Sequence, residues 1–293
     1  MTPQNSSDRR SSLSAGSPHP RRIHRMLLYA LLVAVSTLFL LPGYWLLASA
    51  FKTQSRIFAL PPEVFPWPLA WENFANVYRD TNLIRAFFNT TLIAVTQVAL
   101  SLFLCSLAGL AFARYRNAPG HKFLFGCVLG TMMIPAAVTT IPVFVVLANA
   151  NLINTYWSMI LPGIANAFGI FWMRQYISQN VPIELYDAAQ IDGAGPFATY
   201  GRIVVPIIKP ALGALGVLVL ISSWNNLMWA FIALRTENMY TMPLLIYLLE
   251  GEDRTPYGLI MAAGLIATLP LIVAFLLFQR SFISGVTAGA VKG

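Results

Sequence analysis

Ala86-Phe-Phe-Asn-Thr-Thr-Leu-Ile-Ala-Val-Thr-Gln-Val-Ala-Leu-Ser-Leu-Phe-Leu-Cys-Ser-Leu-Ala-Gly-Leu-Ala-Phe-Ala113 contains no Asp, Glu, Lys or Arg. A bilayer core about 30 Å thick takes roughly 20 apolar residues of helix to cross, and this stretch exceeds that need. Residues 26–51, 123–173, 210–234 and 255–279 are equally free of charge. The 123–173 window is about twice the length of one crossing, and Asn149, Asn151 and Asn154 interrupt it. It reads as two crossings joined by a tight polar turn. The sequence therefore predicts an all-α polytopic membrane protein of about six transmembrane helices, near 26–50, 87–112, 123–148, 155–173, 210–234 and 257–279. On this reading a transmembrane domain, 26–280, lies between an N-terminal tail, 1–25, and a C-terminal tail, 281–293.

Composition points the same way. Hydrophobic residues make up 57% of the chain and charged residues 10%, against about 25% charged in a soluble domain. The windows are continuously apolar, as in 215–221 and 269–278. Barrel strands alternate apolar and polar positions instead, so helices are expected.

The net charge of +8 sorts by side, which argues against a nucleic-acid partner. Most basic residues fall in the N-terminal tail (Arg9, Arg10, Arg21, Arg22, Arg25), the second loop (Arg114, Arg116, Lys122), the fourth loop (Arg174, Arg202, Lys209) and the C-terminus (Arg280, Lys292). The opposite loops are more acidic, the last of them carrying Glu237, Glu250, Glu252 and Asp253. Basic loops stay in the cytoplasm, so both termini are expected there. The apolar run after Arg25 is longer than a signal-peptide core and reads as an uncleaved first span.

Several residue types carry bland expectations. Cys105 and Cys127 fall inside spans and read as buried small apolar residues. Pro42, Pro135, Pro142, Pro162 and Pro270 lie within spans and favour static kinks. Gly126 and Gly130 form a GxxxG step suited to close packing against an internal neighbour. Trp71–Tyr78, in the long first outer loop, suits a short interfacial helix.

The cytoplasmic loop 178–209 differs from the others. Pro182 and Glu184 suit a first helical turn, and Asp192-Gly193 suits its end. Pro196 opens a second helix, with Phe197, Tyr200 and Val204 along one face, and Pro206 and Pro210 return the chain to the membrane. The result is a helix–turn–helix with a small face, Ala188 and Ala189, rimmed by Glu184, Asp187 and Asp192. Spacing alone fits two readings equally: a docking surface, or an amphipathic loop lying on the protein's own helices.

Asp187-Ala188-Ala189-x-x-Asp192-Gly193-Ala194, followed by Ile203-Val204-Val205-Pro206, closely resembles the EAA loop of membrane subunits of binding-protein-dependent ABC importers. Asp187 stands where Glu is usual. Trp71-Glu72-Asn73-Phe74, Trp224-Asn225-Asn226 and the ending Gly285–Gly293 resemble the carbohydrate branch, and the ending is similar to that of the smaller maltose-type permease subunit. The resemblance covers nearly the whole chain after the tail. It implies a type I importer permease in a bacterial plasma membrane, paired with a sister permease and served by two ATP-binding subunits and an extracytoplasmic sugar-binding protein. It also implies that no cofactor binds this chain, with ATP and Mg on the partner subunits. Glu184, Asp187, Ala188, Ala189, Asp192, Gly193, Ala194 and Pro206 would form the coupling loop. Trp224, Asn225 and Asn226 would lie near the translocation path.

The residues fit that implication. No G-x-x-x-x-G-K-[ST] phosphate loop occurs in the chain. A proton-coupled secondary transporter would place ionisable groups in its spans, and the spans drawn here have none. A membrane enzyme would need a clustered nucleophile or base, and Glu250, Glu252 and Asp253 have no His partner. Among polar span residues, Gln97 reads as interhelical glue, while Asn225 and Asn226 fit either glue or a path lining.

The charge distribution generates a topology test. A C-terminal epitope is expected to be reached by antibody only after the cells are permeabilised; labelling of intact cells would reverse the assigned orientation.

Overall fold

The computed structural model describes residues 19–250 and 255–287, with side chains placed for 24–250 and 255–279. The tail residues 1–18, Glu252, Asp253 and 288–293 lie outside the described residues. No strand occurs among those described.

The chain divides into Met1–Leu46 and Leu47–Gly293. The first unit consists, among described residues, of the start of α1 (His19–Ala50), so helix begins well before the expected 26. Its side chains are exposed over 24–43, and Thr37 turns its hydroxyl back onto the Val33 carbonyl at 2.9 Å. A helix of this composition needs lipid or another apolar surface around it.

The second unit follows in chain order. Short helix α2 (Gln54–Ile57) and α3 (Glu72–Asp80) lead to α4 (Leu83–Arg114), α5 (His121–Met132) and α6 (Ala136–Asn149). Next come α7 (Tyr156–Ile160), a 3₁₀ turn (Leu161–Gly163) and α8 (Ala167–Asn180). The loop expected at 178–209 holds α9 (Ile183–Ile191), α10 (Pro196–Thr199) and a π-helical turn (Tyr200–Val204). It runs into α11 (Val205–Trp224), followed by α12 (Leu227–Ala233), α13 (Met242–Leu248) and α14 (Tyr257–Thr287).

Helices α4, α8, α11 and α14 form the core, with α4 against α8 and α11 against both α4 and α14. Small residues permit this. A Cβ on Gly109 would lie 2.7 Å from Met173 Cβ and 2.8 Å from the Arg174 nitrogen, so α4 and α8 touch nearly backbone to backbone there. Ala211, Ala214, Ala262 and Ala263 are fully buried. With little hydrophobic drive between helices in lipid, such close approach supplies the attraction. Gly126 and Gly130 have open space where a Cβ would sit, so the GxxxG step is not an internal contact as expected. Cys105 is buried, but Cys127 is exposed, against the expectation for both.

Among the described residues, four helices are long and apolar enough to cross a membrane, or five if the α5–α6 pair counts as one span bent by 106°. The segment expected at 123–148, with kinks at its prolines, turns a sharp corner at Met133–Pro135. Pro135 lacks the N–H that would continue α5, whereas Pro42, Pro142 and Pro270 stay inside helices. The segment expected at 155–173 is broken by Pro162-Gly163 and restarts at Asn166, whose side chain accepts from Gly169 N at 2.6 Å. The fifth crossing, expected at 210–234, begins at Pro196 and stops at Trp224.

Asn side chains organise the end of the bundle opposite the α9–α10 hairpin. Asn154 adopts φ 61° and accepts from Arg235 N at 2.9 Å and Thr236 N at 3.2 Å. Asn151 has φ 55°, and together they make the expected tight turn. Asn73, on α3, donates to the Ala50 and Lys52 carbonyls at 2.9 and 2.8 Å, closing the end of α1. Gly258 leaves room for it, since a Cβ there would sit 2.5 Å from Asn73 Oδ1. Lys52 is buried and donates to the Glu63 carbonyl, and burial pushes its ammonium below the usual lysine range, opposed by the nearby Glu63.

Glycine contacts decide a stability comparison. Gly109→Ala should lower thermal stability in detergent by about 1–3 kcal/mol through overpacking, while Gly126→Ala leaves it unchanged or slightly raised. Equal effects at both sites would contradict the described α4–α8 contact.

Candidate functional site

Helix α9 is capped at both ends by the residues the sequence singles out. Pro182 takes the N-cap position, one residue before the expected first turn, and Glu184 sits in that turn. At the other end Gly193 adopts φ 75°, Gly193 N donates to Gln190 O at 3.1 Å, and Ala194 N donates to Ala189 O at 2.8 Å. This pair of bonds is a Schellman closure, which requires a left-handed residue at the position of Gly193. Asp192-Gly193-Ala194 is therefore the helix stop.

The two alanines part company. Ala188 is exposed, but Ala189 is 4% exposed and Tyr186 8%, so this side of α9 rests on the protein itself. Successive helical residues point about 100° apart, and Ala188 and Ala189 cannot both face a partner. Opposite them stand Ile191, 85% exposed, and, across the turn, Phe197, 75% exposed. Glu184, Asp187 and Asp192 surround them, all exposed. The sequence reading missed Ile191 and Phe197 as the protruding residues. A helical wheel placing Ala189 inward would have put Ile191 outward.

The hairpin is fastened to α4 by Arg114. Its guanidinium lies 3.3 Å from Asp187 Oδ1 and 4.6 Å above the Tyr186 ring. The aspartate that replaces the usual glutamate thus reaches a partner within the chain. Burial raises the Tyr186 hydroxyl above the ordinary tyrosine range, opposed by Arg114, and keeps it protonated. On the far side, Tyr200 meets Ser106 hydroxyl to hydroxyl at 2.7 Å.

From Pro196 the chain stays helical to Trp224. Pro206 does not end a loop as expected. It lies in the first turn of α11, directly after the π turn, where Val205 N donates to Tyr200 O. Proline at 206 removes the N–H that would bond residue 202 and crowds that carbonyl; a widened turn relieves the crowding.

The three residues assigned near a path have structural partners. Trp224 is buried, donates to Ala267 O at 3.0 Å and packs edge-on against Phe87. Asn225 donates back to Ile221 O at 2.9 Å, and Asn226 caps α12 by accepting from Trp229 N at 3.4 Å. Asn89 is equally engaged, with the Asn238 and Tyr240 carbonyls and the Tyr156 hydroxyl at 2.8–2.9 Å. Gln97, expected to be glue, is 8% exposed yet its amide bonds no described residue.

The site is a capped hairpin at one end of an all-helical core, feeding a long apolar helix of the kind that membrane subunits carry. The fold is similar to that of a bacterial ABC transporter involved in the import of the acidic polysaccharide alginate, with a TM-score of 0.77 at 22% identity, over 91% of this chain and 99% of that one. The chain is 33% identical to the arabinooligosaccharides transport system permease protein of Bacillus subtilis (strain 168), over 92% of this chain and 97% of that protein. It is 32% identical to the lactose transport system permease protein of Rhizobium radiobacter, over 93% and 98%. Residues 105–287 match the family described as binding-protein-dependent transport system inner membrane component, and the chain belongs to that family.

Because Arg114 serves both ring and carboxylate, Arg114→Gln should loosen α9. Amide exchange over 183–191 is expected to speed roughly fivefold, about 1 kcal/mol for a partly exposed ion pair and one cation–π contact. Unchanged protection would show that the hairpin holds its place without Arg114.

Proposed function

We propose that this chain is the sugar-translocating permease subunit of an ATP-driven importer in a bacterial plasma membrane. Family membership and the sugars named for the two relatives support the substrate class. The chain crosses the bilayer six times, with α5–α6 and α7–α8 each forming one irregular crossing and both termini in the cytoplasm. Its partners are a sister permease, two ATP-binding subunits and an extracytoplasmic sugar-binding protein. ATP and Mg bind the partner subunits, and this chain carries no cofactor.

One observation carries the mechanism: the hairpin offers an exposed apolar pair, Ile191 and Phe197, within an acidic rim, and continues as unbroken helix into α11. An apolar centre with a charged border is the composition of a docking surface. Closure of the ATP-binding subunits moves α9, the Arg114 contact transmits the shift to α4, and the continuous helix transmits it to α11. Glu184, Asp187, Ala188 and Asp192 form the rim, Gly193 and Ala194 hold the turn, and Ala189 and Pro206 act within the chain. The bland alternative, a hairpin lying on its own helices, applies to the Tyr186–Ala189 side alone.

Ile191→Asp and Phe197→Asp are each expected to weaken co-purification of the ATP-binding subunit about 30-fold, as for a buried interface anchor worth about 2 kcal/mol, and to abolish sugar uptake, with membrane insertion unchanged. Retention of both functions would remove the coupling assignment. Uptake that persists with a catalytically dead ATP-binding subunit would instead favour a facilitator.

A further inference from the structure

Between α4 and the α9–α10 hairpin lies a cavity of about 580 Å³, around which stand Leu107, Ala111, Arg114, Tyr186, Gln190 and Phe197 among others. We propose that it seats the headgroup of one anionic phospholipid from the leaflet on the hairpin side, with Tyr186 and Arg114 donating to its phosphate. The inference needs the chain to be embedded in a membrane and is independent of what it transports.

Tyr186 is the first argument. It is 8% exposed and lines the cavity, yet its hydroxyl has no hydrogen-bond partner among the described residues. Burial keeps it protonated, so it offers a donor. The neighbouring hydroxyl of Tyr200 is already engaged, at 2.7 Å from that of Ser106. A buried polar group left unmet is destabilising, and an acceptor placed in the cavity completes this one.

Charge is the second. The Arg114 guanidinium lies 4.6 Å above the Tyr186 ring. Its contacts with Asp187, at 3.3 and 3.4 Å, both fall on one carboxylate oxygen, and a guanidinium has five N–H donors. Asp187 itself does not line the cavity, and among the described residues that do, Arg114 is the one charged group. Two converging donors and no carboxylate select an oxyanion. A choline or ammonium headgroup would find no counter-charge in the lining.

Depth and shape point to a lipid as the source of that oxyanion. Helix α4 has 32 residues, about 48 Å at 1.5 Å per residue, whereas the hydrocarbon core is about 30 Å thick. Arg114, its last residue, therefore reaches the headgroup layer. Phe103, Leu107, Ala111 and Tyr115 recur at every fourth position and share one side of α4. Phe103 is 48% exposed and rests edge-on against Tyr200, and Ala111 is exposed. This apolar stripe runs from the cavity towards mid-membrane and gives an acyl chain a track. A free phosphate would use the donors and leave the track bare. Seated there, the lipid ties α9 to α4 beside the Arg114 contact.

The test uses the complete importer in nanodiscs of phosphatidylcholine alone or of its equal mixture with phosphatidylglycerol carrying the same acyl chains. Phosphatidylglycerol is expected to slow amide exchange over 183–191 about tenfold in the unaltered chain, as for hydrogen bonds to a charged group. In Tyr186→Phe, which keeps the ring under Arg114 and loses only the hydroxyl, the slowing should vanish. Ala111→Trp, which fills the cavity, should abolish it too. In phosphatidylcholine alone Tyr186→Phe should exchange no faster than the unaltered chain, which separates a lost ligand from a loosened hairpin. No slowing in the unaltered chain, or the same slowing in Tyr186→Phe, would overturn the site. Slowing by inorganic phosphate added to phosphatidylcholine nanodiscs would make it a free-anion site and overturn the lipid assignment.

Discussion

Every backbone N–H and C=O in the hydrocarbon core must find its partner inside the protein, and the remaining features of this structure follow from how the chain meets that demand where its helices stop. Long helices meet it by themselves. Each interruption has a local remedy. At the α5–α6 corner Met133 N still reaches Gly130 O. Asn166 and Asn226 each accept from the third residue onward and so restart α8 and α12. The Trp229 indole donates to Ser158 O at 2.8 Å, tying the broken fourth segment to the chain beyond α11.

The α9–α10 hairpin obeys the same rule at an exposed end of the bundle, and spends its side chains differently. Its turn is closed by backbone bonds alone, through Gly193, so Asp187 is available to Arg114 and Ile191 to solvent. One side of α9 is committed to the protein through Tyr186 and Ala189. The opposite side, with Ile191, is exposed. Beyond the turn the chain runs as helix into α11, whose own buried small residues Ala211 and Ala214 let it pack closely on its neighbours.

Much of this was legible in the sequence. Charge-free windows marked the membrane segments because a charge in hydrocarbon is costly whatever the fold. Asp192-Gly193 marked the end of α9 and the asparagines marked the outer turn, because few residues tolerate left-handed backbone. Less legible were features that depend on which neighbour a helix meets. Gly126-x-x-x-Gly130 and Gly109 look alike as small residues, yet only Gly109 faces a helix within the chain. Pro135 and Pro142 look alike as prolines, yet only the first ends a helix. Gln97 looked like glue because its amide could bond across helices, and only the position of Gly163 shows that it lies over bare backbone instead. The resemblance places Trp224-Asn225-Asn226 near a path, at a polar interruption of an apolar run. The interruption is a helix end, and its polar groups serve that end.

The π turn at Tyr200–Val204 has a further consequence. An extra residue in an α-helix either rotates everything beyond it by about 100° or is absorbed locally as one wide turn. Here it is absorbed, so the outward side of the hairpin and the inward side of α11 keep a fixed angular relation although their residue counts do not match an unbroken helical period. The wide turn is a phase corrector: it sets the angle at which the exposed residues of the hairpin stand to the buried face of α11.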